Sequence, residues 1–425
     1  MSAVDAPRRY EASASVTPAI TPSVTSGGFW SAPGAIQQTS PSKLLHLFDP
    51  SMYYPVFANL IAILGFDDIA RLSFTCRALS SLPRQVVSLE CNVDRMLKSW
   101  FSNPKRTRSV MAEQNAIVGS HFATSLFSRQ YETGTIRFYV TQGPQADALA
   151  AYFESEGYEE ARRQDSSAES RRKKFIKPGC PWALVEMRLC STSPIGAFLA
   201  AVNTTHLLNL VTSHKAYCLF PISSFVYKMS FITRDLTNDS VQNAICRYSS
   251  YGYDFQPIIW NTTLLPYSHE ITSPRRFGDK LTWMIEFDNT GIPPPVAPLS
   301  VVESTCFRLS VTPDPNLFAN RQQNYATSRY RLSCSSFKSC VLKHVYTFGC
   351  SAWRAYIGAR VDALTRIELC KLPVKDRLHL DMNTKKDFYQ LEGSFQRHAH
   401  WKYYDHIVRE WWEEWTKENA APGRS

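Results

Sequence analysis

The sequence is as informative for what it lacks as for what it holds. Its eleven cysteines include no Cys-x-x-Cys pair, and no His/Cys pair stands at zinc-ligand spacing. Structural zinc needs ligands clustered at short spacings, so the pattern offers no metal centre. The cysteines are odd in number and scattered, and several lie in apolar runs, where a free thiol behaves as a small hydrophobe. Reduced thiols in a cytoplasmic or nuclear protein are the economical reading. Residues 1–30 hold no apolar core of signal-peptide length, and no apolar run reaches the ~18 residues of a membrane-spanning helix. Internal repeats and heptads are absent, and no family motif for nucleophilic catalysis surrounds any cysteine or histidine.

What is present is an ordinary globular composition, 44% hydrophobic and 13% aromatic, over 425 residues. That suffices for two domains and a sizeable core. Lysine and arginine number 47 against 37 acidic residues, a formal charge of +10. Such a balance suits an anionic partner, and it equally describes a basic, solvated surface. Residues 1–45 are dominated by Ser, Thr, Pro, Ala and Gly and predict a disordered tail.

From Leu44 the pattern turns helical. Pro55 suits a first helical turn, where its missing N–H would have no partner in any case. Val56, Leu60, Ile63 and Leu64 follow as an apolar stripe, and Gly65 can end the helix. Asp67 is a fitting N-cap for a second helix, whose stripe is Ile69, Leu72, Cys76 and Leu79 and which Pro83 stops. The run Tyr54-Pro55-Val56, then Ile63-Leu64-Gly65-Phe66-Asp67-Asp68-Ile69, then Leu72-Ser73 and Cys76-Arg77, resembles an F-box. That family shows a Leu-Pro start, an Ile-Leu ending the first long helix, an acidic turn and a Leu-Ser…Cys-Arg helix. Tyr54 stands where the family has Leu, and the Glu-Leu pair after the proline is missing. The resemblance implies that this segment engages a Skp-type adaptor of a cullin ubiquitin ligase. Pro55, Leu60, Leu64, Ile69, Leu72 and Cys76 would carry the contact or the fold that presents it. With no such partner, the same stripes make a hairpin packed on its own body.

Further on, Ala116-Ile117-Val118 reads as a buried strand, Gly119-Ser120 follows, a helix carries Phe122, Ala123, Leu126 and Phe127, and Thr135–Val140 is a second strand. This order is similar to the opening of the nucleotidyltransferase fold. In that family Gly-Ser sits at a helix N-terminus that holds a triphosphate, and the next strand carries Asp-x-Asp for two metal ions. The resemblance therefore makes Gly119 and Ser120 candidate nucleotide-binding residues, with His121 beside them. Here Thr135 and Arg137 occupy the acidic positions. A cation in place of a metal-binding carboxylate removes the ligand and repels the ion. Glu186, in a later strand, is a single carboxylate, and Glu132 lies in the preceding turn. No catalytic set, no metal ligand and no cofactor is assigned.

Beyond this, Gln145–Tyr158 predicts an amphipathic helix ended by Gly157, residues 159–178 a charged insertion, and residues 182–190 a strand. Ser193-Pro194 starts another helix with Ile195, Phe198, Leu199 and Val202. Together with Leu207–Pro221, these segments resemble a group of fungal proteins in which an F-box-like region precedes a nucleotidyltransferase-like domain. Residues 299–313 read as strands, and the aromatic run Trp401–Trp415 as a helix packed on the body or on a partner. Two basic clusters, Lys105-Arg106-Thr107-Arg108 and Arg171-Arg172-Lys173-Lys174, could meet phosphates or lie solvated.

The expected fold is α+β: an F-box-like hairpin over 46–92, a nucleotidyltransferase-like mixed sheet with flanking helices over 93–255, and an extension over 256–425 ending in the aromatic helix. The expected function is protein interaction, an F-box-type adaptor recruiting a protein substrate on a catalytically inactive body. The alternatives are a pseudoenzyme that binds nucleotide or RNA, and a divergent nucleotidyltransferase whose missing carboxylates come from elsewhere. No membrane contact is expected.

Overall fold

The computed structural model describes residues 43–129, 134–161, 171–191, 193–234, 236–256, 266–313, 328–377 and 396–419. Nearly all of the expected tail, with Glu132 and residues 162–170 of the expected charged insertion, lies outside the described residues.

The first helix, α1 (Tyr54–Ile63), has Pro55 in its opening turn, as expected. Its burial differs from the expected stripe. Phe57 and Ile61 are fully buried, Leu60 and Leu64 half-buried, and Val56 and Ile63 exposed. The reason is angular: Val56 and Ile63 are seven residues apart and share a second face, turned away from Phe57 and Ile61. Gly65 rather than Asp67 caps α2 (Phe66–Thr75), and its N–H donates to Asp68 Oδ2 at 3.1 Å. The acidic turn thus does its expected work from the third helical position. α2 ends at Thr75 because Cys76 is fully extended, so the stripe to Leu79 is not one helix. Pro83 does not stop it; it opens α3 (Leu82–Glu90). Phe57, Ile61, Ile69, Leu79, Leu82 and Val86 close a small core of their own. The joint to the body centres on Phe66, whose ring meets Trp283 edge-on at 4.5 Å. The Arg129 guanidinium lies over the same ring and donates to the carbonyls of Ile61 (2.7 Å) and Leu64.

Asn92 and Asn103 cap the next helices, α4 (Val93–Leu97) and α5 (Pro104–Glu113), by accepting from first-turn amides at 2.9 and 3.0 Å. The body then alternates: β1 (Ile117–Gly119), α6 (His121–Ser128), β2 (Thr135–Thr141), α7 (Pro144–Ser155), β3 (Glu159–Glu160), β4 (Arg172–Lys177), β5 (Cys180–Cys190) and α8 (Pro194–Ala201). Its basic run is therefore strand, not a loop insertion, because Phe175 anchors β4 in the core. A hairpin of β6 (Asn209–Val211) and β7 (Lys215–Cys218) follows, then β8 (Met229–Phe231), α9 (Asp239–Ser249), β9 (Asp254–Gln256), α10 (Ser268–Thr272), β10 (Arg275–Arg276) and β11 (Trp283–Glu286). The chain continues through α11 (Leu299–Glu303), β12 (Cys306–Pro313), β13 (Ser328–Ser333), β14 (Ser335–Phe337), β15 (Tyr346–Phe348), α12 (Ser351–Cys370), α13 (Val374–Arg377) and α14 (Val408–Asn419).

The fold is α+β, built on a mixed eight-stranded sheet ordered β11-β7-β6-β1-β2-β5-β4-β3. Only β2 and β5 run parallel; every other pair in it is antiparallel. Strand alternation divides neighbouring residues between two cores. Val118 and Phe138 face α5, α6 and α7 with Phe101, Phe127 and Phe153. Ile117 and Tyr139 face α8 with Phe198, Leu210 and Phe307. The edge strand β11 comes from beyond residue 255, so the sheet draws on both sides of that expected boundary.

A third core joins β14, β15, α12 and α14. Trp353 is its centre, 1% exposed, edge-on to Trp412 at 5.0 Å and 5.5 Å from Trp415. The aromatic run packs on the body as expected, although its helix starts only at Val408. Trp353→Ala leaves a cavity that its two rigid indole neighbours cannot fill, and is expected to cost about 3–5 kcal/mol, read as a lower denaturant midpoint.

Candidate functional site

Parallel pairing of β2 with β5 sets Arg137 directly beside Glu186. Arg137 Nε donates to Glu186 Oε2 at 2.9 Å, and Arg188 Nε donates to Oε1 at 2.9 Å. Each carboxylate oxygen is thus claimed by its own guanidinium. Burial alone would push the Glu186 carboxyl up; Arg137 and Arg188 outweigh it and hold the group below the usual carboxylate range. Arg188 also lies 5.9 Å over the ring of Tyr139, which is buried.

Gly119 and Ser120 stand next to this cluster, both buried. A Cβ at Gly119 would fall 2.6 Å from the Phe198 ring, so close packing against α8 demands glycine there. Ser120 caps α6 with φ 62°, a conformation that costs a non-glycine residue energy. Its N–H donates to the Asn209 carbonyl at 3.1 Å, so that amide is already engaged. His121 Nδ1 lies 2.7 Å from Tyr248 Oη, with the rings stacked at 5.6 Å. Burial, with Arg247 and Arg137 nearby, brings the His121 pKa down to about 4, so the ring is neutral at pH 7 and offers no charge to a phosphate. His206 meets the same Tyr248 ring edge-on at 4.4 Å, fully buried, with Nδ1 2.7 Å from Ser230 Oγ, and burial drives its pKa far down.

These two imidazoles have a measurable consequence. Both are protonated in the unfolded chain below pH 6.5 and stay neutral in the folded one. The unfolded state then binds more protons, and stability falls as pH drops through that window. From about pH 7.5 to about pH 5.5 the two together should cost roughly 2–3 kcal/mol. Chemical denaturation across that range checks this, and His121→Asn should remove about half of the slope.

A two-metal centre does not fit these residues. Thr135 and Arg137 stand where the resemblance led one to expect an acidic pair, and the carboxylate beside them, Glu186, is engaged at both oxygens by arginine. Among the described residues no group of three His, Cys, Asp or Glu could hold a metal ion.

The basic cluster at 105–108 lies in α5, not in a loop. Arg108 is completely buried, donating to the carbonyls of Ser213 (2.8 Å) and Asp288 (2.9 Å) and pairing with Asp94 at 3.1 Å. It ties α4 to two loops of the body. The other cluster, at 171–174, lies beside the Glu186 site, with Arg172 across from Arg188 and Lys174 across from Glu186. Sequence reasoning missed the parts played by Arg188 and Tyr139. The i, i+2 spacing of Glu186 and Arg188 along one strand face was the available signal.

Of the F-box-like residues, Ile69 is fully buried, Leu60, Leu64 and Leu72 are half-buried, and Pro55 and Cys76 are exposed. Two further residues stand out more than these. Ile63 is 83% and Phe74 87% exposed, and Met52, Tyr53, Tyr54 and Val56 are each around half exposed.

No protein-family model matches the chain, and no curated protein matches it. One solved structure, the apo form of a CCA-adding enzyme, is similar over 39% of this chain and 42% of its own, with 11% identity and a TM-score of 0.28. What the site can do is decided by its own residues. No helix among the described residues is long and apolar enough to cross a membrane.

Proposed function

We propose that this protein is a non-catalytic adaptor: the hairpin α1–α2 docks the Skp-type subunit of a cullin ubiquitin ligase, and the body behind it recruits a protein substrate. The observation that carries the reading is the exposure of Ile63 and Phe74 on a hairpin that already has a closed core of its own. A purely structural hairpin would turn such side chains inward; large apolar side chains gathered on one surface element mark an interaction site. Pro55 and Cys76 lie on the accessible part of the same hairpin, while Ile69 and Leu64 hold its shape. The body is inert toward nucleotidyl transfer in this reading, since arginine occupies the acidic strand. Affinity purification with mass spectrometry from a fungal cell tests it. Adaptor and cullin recovered with the intact chain support the reading, and their absence leaves the hairpin a structural part of the body.

A further inference from the structure

One residue at the joint between hairpin and body breaks a local rule. Helix α6 ends at Ser128, and Arg129 follows with φ 59° and ψ 18°, the left-handed conformation. A helix that closes this way usually closes on glycine, because any Cβ there crowds the neighbouring carbonyl. Arginine gains nothing from such a turn. The reason for it lies in where its side chain goes.

The side chain reaches the end of α1. The last carbonyls of a helix lack intrahelical donors. The start of α2 deepens that deficit: the Gly65 N–H, which could have served the Ile61 carbonyl four residues back, donates to Asp68 Oδ2 instead. Leu64 has already left the helix, with ψ 134°. Arg129 Nη1 donates to the Ile61 carbonyl at 2.7 Å, and Nη2 to the Leu64 carbonyl. A rigid, planar fork suits two acceptors held in fixed positions, whereas an ammonium on a flexible stem does not set an angle. The guanidinium also lies 4.5 Å over the Phe66 ring, and its charge meets the negative end of the α1 dipole.

The apolar contacts beside it attract without choosing a direction. Phe66 and Val87 lie against the main core, where Phe66 meets Trp283 edge-on and Trp283 meets Phe127 at 5.0 Å. Burial of that kind is non-directional, while hydrogen bonds weaken steeply when their angle is lost. The hairpin core is closed within itself around Phe57 and Ile69, so the hairpin can shift on the body without unfolding. The two bonds from Arg129 are what oppose such a shift.

We propose that Arg129 is a positioning residue: its guanidinium locks the hairpin at one angle to the body, so that a partner on the hairpin and a partner on the body are held at a fixed separation. The purpose of the lock rests on the adaptor reading; the lock itself does not. Hydroxyl-radical footprinting of the purified full chain tests it, with Arg129→Gly and Arg129→Lys as variants. Glycine suits the left-handed turn better than arginine, so the first variant removes the side chain without harming the end of α6. Oxidation of Phe66 and Trp283, on opposite sides of the joint, should rise together several-fold in Arg129→Gly and by less in Arg129→Lys. Phe57 in the hairpin core and Phe153 in the body core should stay protected. Adaptor recovery from the same preparations should not change, because Ile63 and Phe74 keep their places on the hairpin. A natural chain that captures no adaptor would sink the adaptor reading and leave the footprint standing. Phe66 and Trp283 as well protected in Arg129→Gly as in the natural chain would overturn the lock. So would a rise at Phe57 or Phe153, which would mean that the guanidinium keeps the chain folded rather than the hairpin placed.

Discussion

Ile63→Lys combined with Phe74→Lys is expected to abolish adaptor capture while leaving the protein as stable as before. Both side chains are more than four-fifths exposed (83% and 87%), so their removal opens no cavity. Both sit at or near helix C-termini, Ile63 closing α1 and Phe74 one residue from the end of α2. A cation is favoured at such a position by the helix dipole, so lysine adds no folding penalty. Binding is another matter. Each apolar side chain gains roughly 1.5–3 kcal/mol when covered by a partner, and an ammonium forced into the same contact is desolvated without a counter-charge. Together the two changes should weaken a purified adaptor by about a thousandfold or more. Ile69→Ala supplies the contrast. Ile69 is completely buried in the hairpin core, so its truncation should lose adaptor and about 2–5 kcal/mol of stability together. Loss of binding without loss of stability identifies a contact surface. Unchanged binding in the lysine pair would mean that the exposed face has no part in recognition.

The hairpin also shows where sequence reading succeeds and where it stops. Pro55, Gly65 and the acidic pair Asp67-Asp68 act over one or two turns, and local signals of that kind placed the starts of the two helices, though not the end of the second, which stops at Thr75 rather than before Pro83. Which apolar residues face outward is a matter of a hundred degrees of rotation. Val56 and Ile63 counted as core because they are apolar, whereas Phe57 and Ile61 do the packing. The body followed the same rule. The order of β1, α6 and β2 was legible from a short apolar run, the Gly119-Ser120 break and the apolar residues that follow it. The 20-residue helix α12 was not, because basic and apolar residues mix along it without a clean stripe. Nor could spacing show that β2 and β5 run side by side in parallel. That pairing joins residues far apart in sequence, and it turns Arg137 from a missing ligand into the partner of Glu186. The cluster at 105–108 misled for a related reason. A buried arginine and a solvated one look alike until the carbonyls that receive its hydrogens are known.

The Arg137–Glu186 pairing leads to a gain of function. Thr135→Asp with Arg137→Asp is expected to create a divalent-cation site at Glu186. Positions 135 and 137 point to one face of β2, and register sets residue 137 directly beside Glu186. The double variant therefore gathers three carboxylates where the natural chain has one carboxylate between two guanidinium groups. Without metal, the three negative charges repel. The Glu186 carboxyl, now held below its usual range by Arg137 and Arg188, loses its first counter-charge and should rise. The variant should thus be less stable than the natural chain at neutral pH, and less so as the pH falls and the carboxylates take up protons. Hard oxygen ligands then favour Mg²⁺ or Mn²⁺, and binding that is selective for the folded state restores stability by about 2.7 kcal/mol at a hundred times the dissociation constant. Thermal melts with and without Mn²⁺ read this directly. The melting temperature should rise with Mn²⁺ in the double variant and stay put in the natural chain. Arg188→Gln added to the pair should enlarge the rise, because it frees the last carboxylate oxygen from its guanidinium. A variant that melts the same with and without the ion would mean that the strand geometry never suited a metal, and that the ion pair at Glu186 holds the sheet together for its own sake.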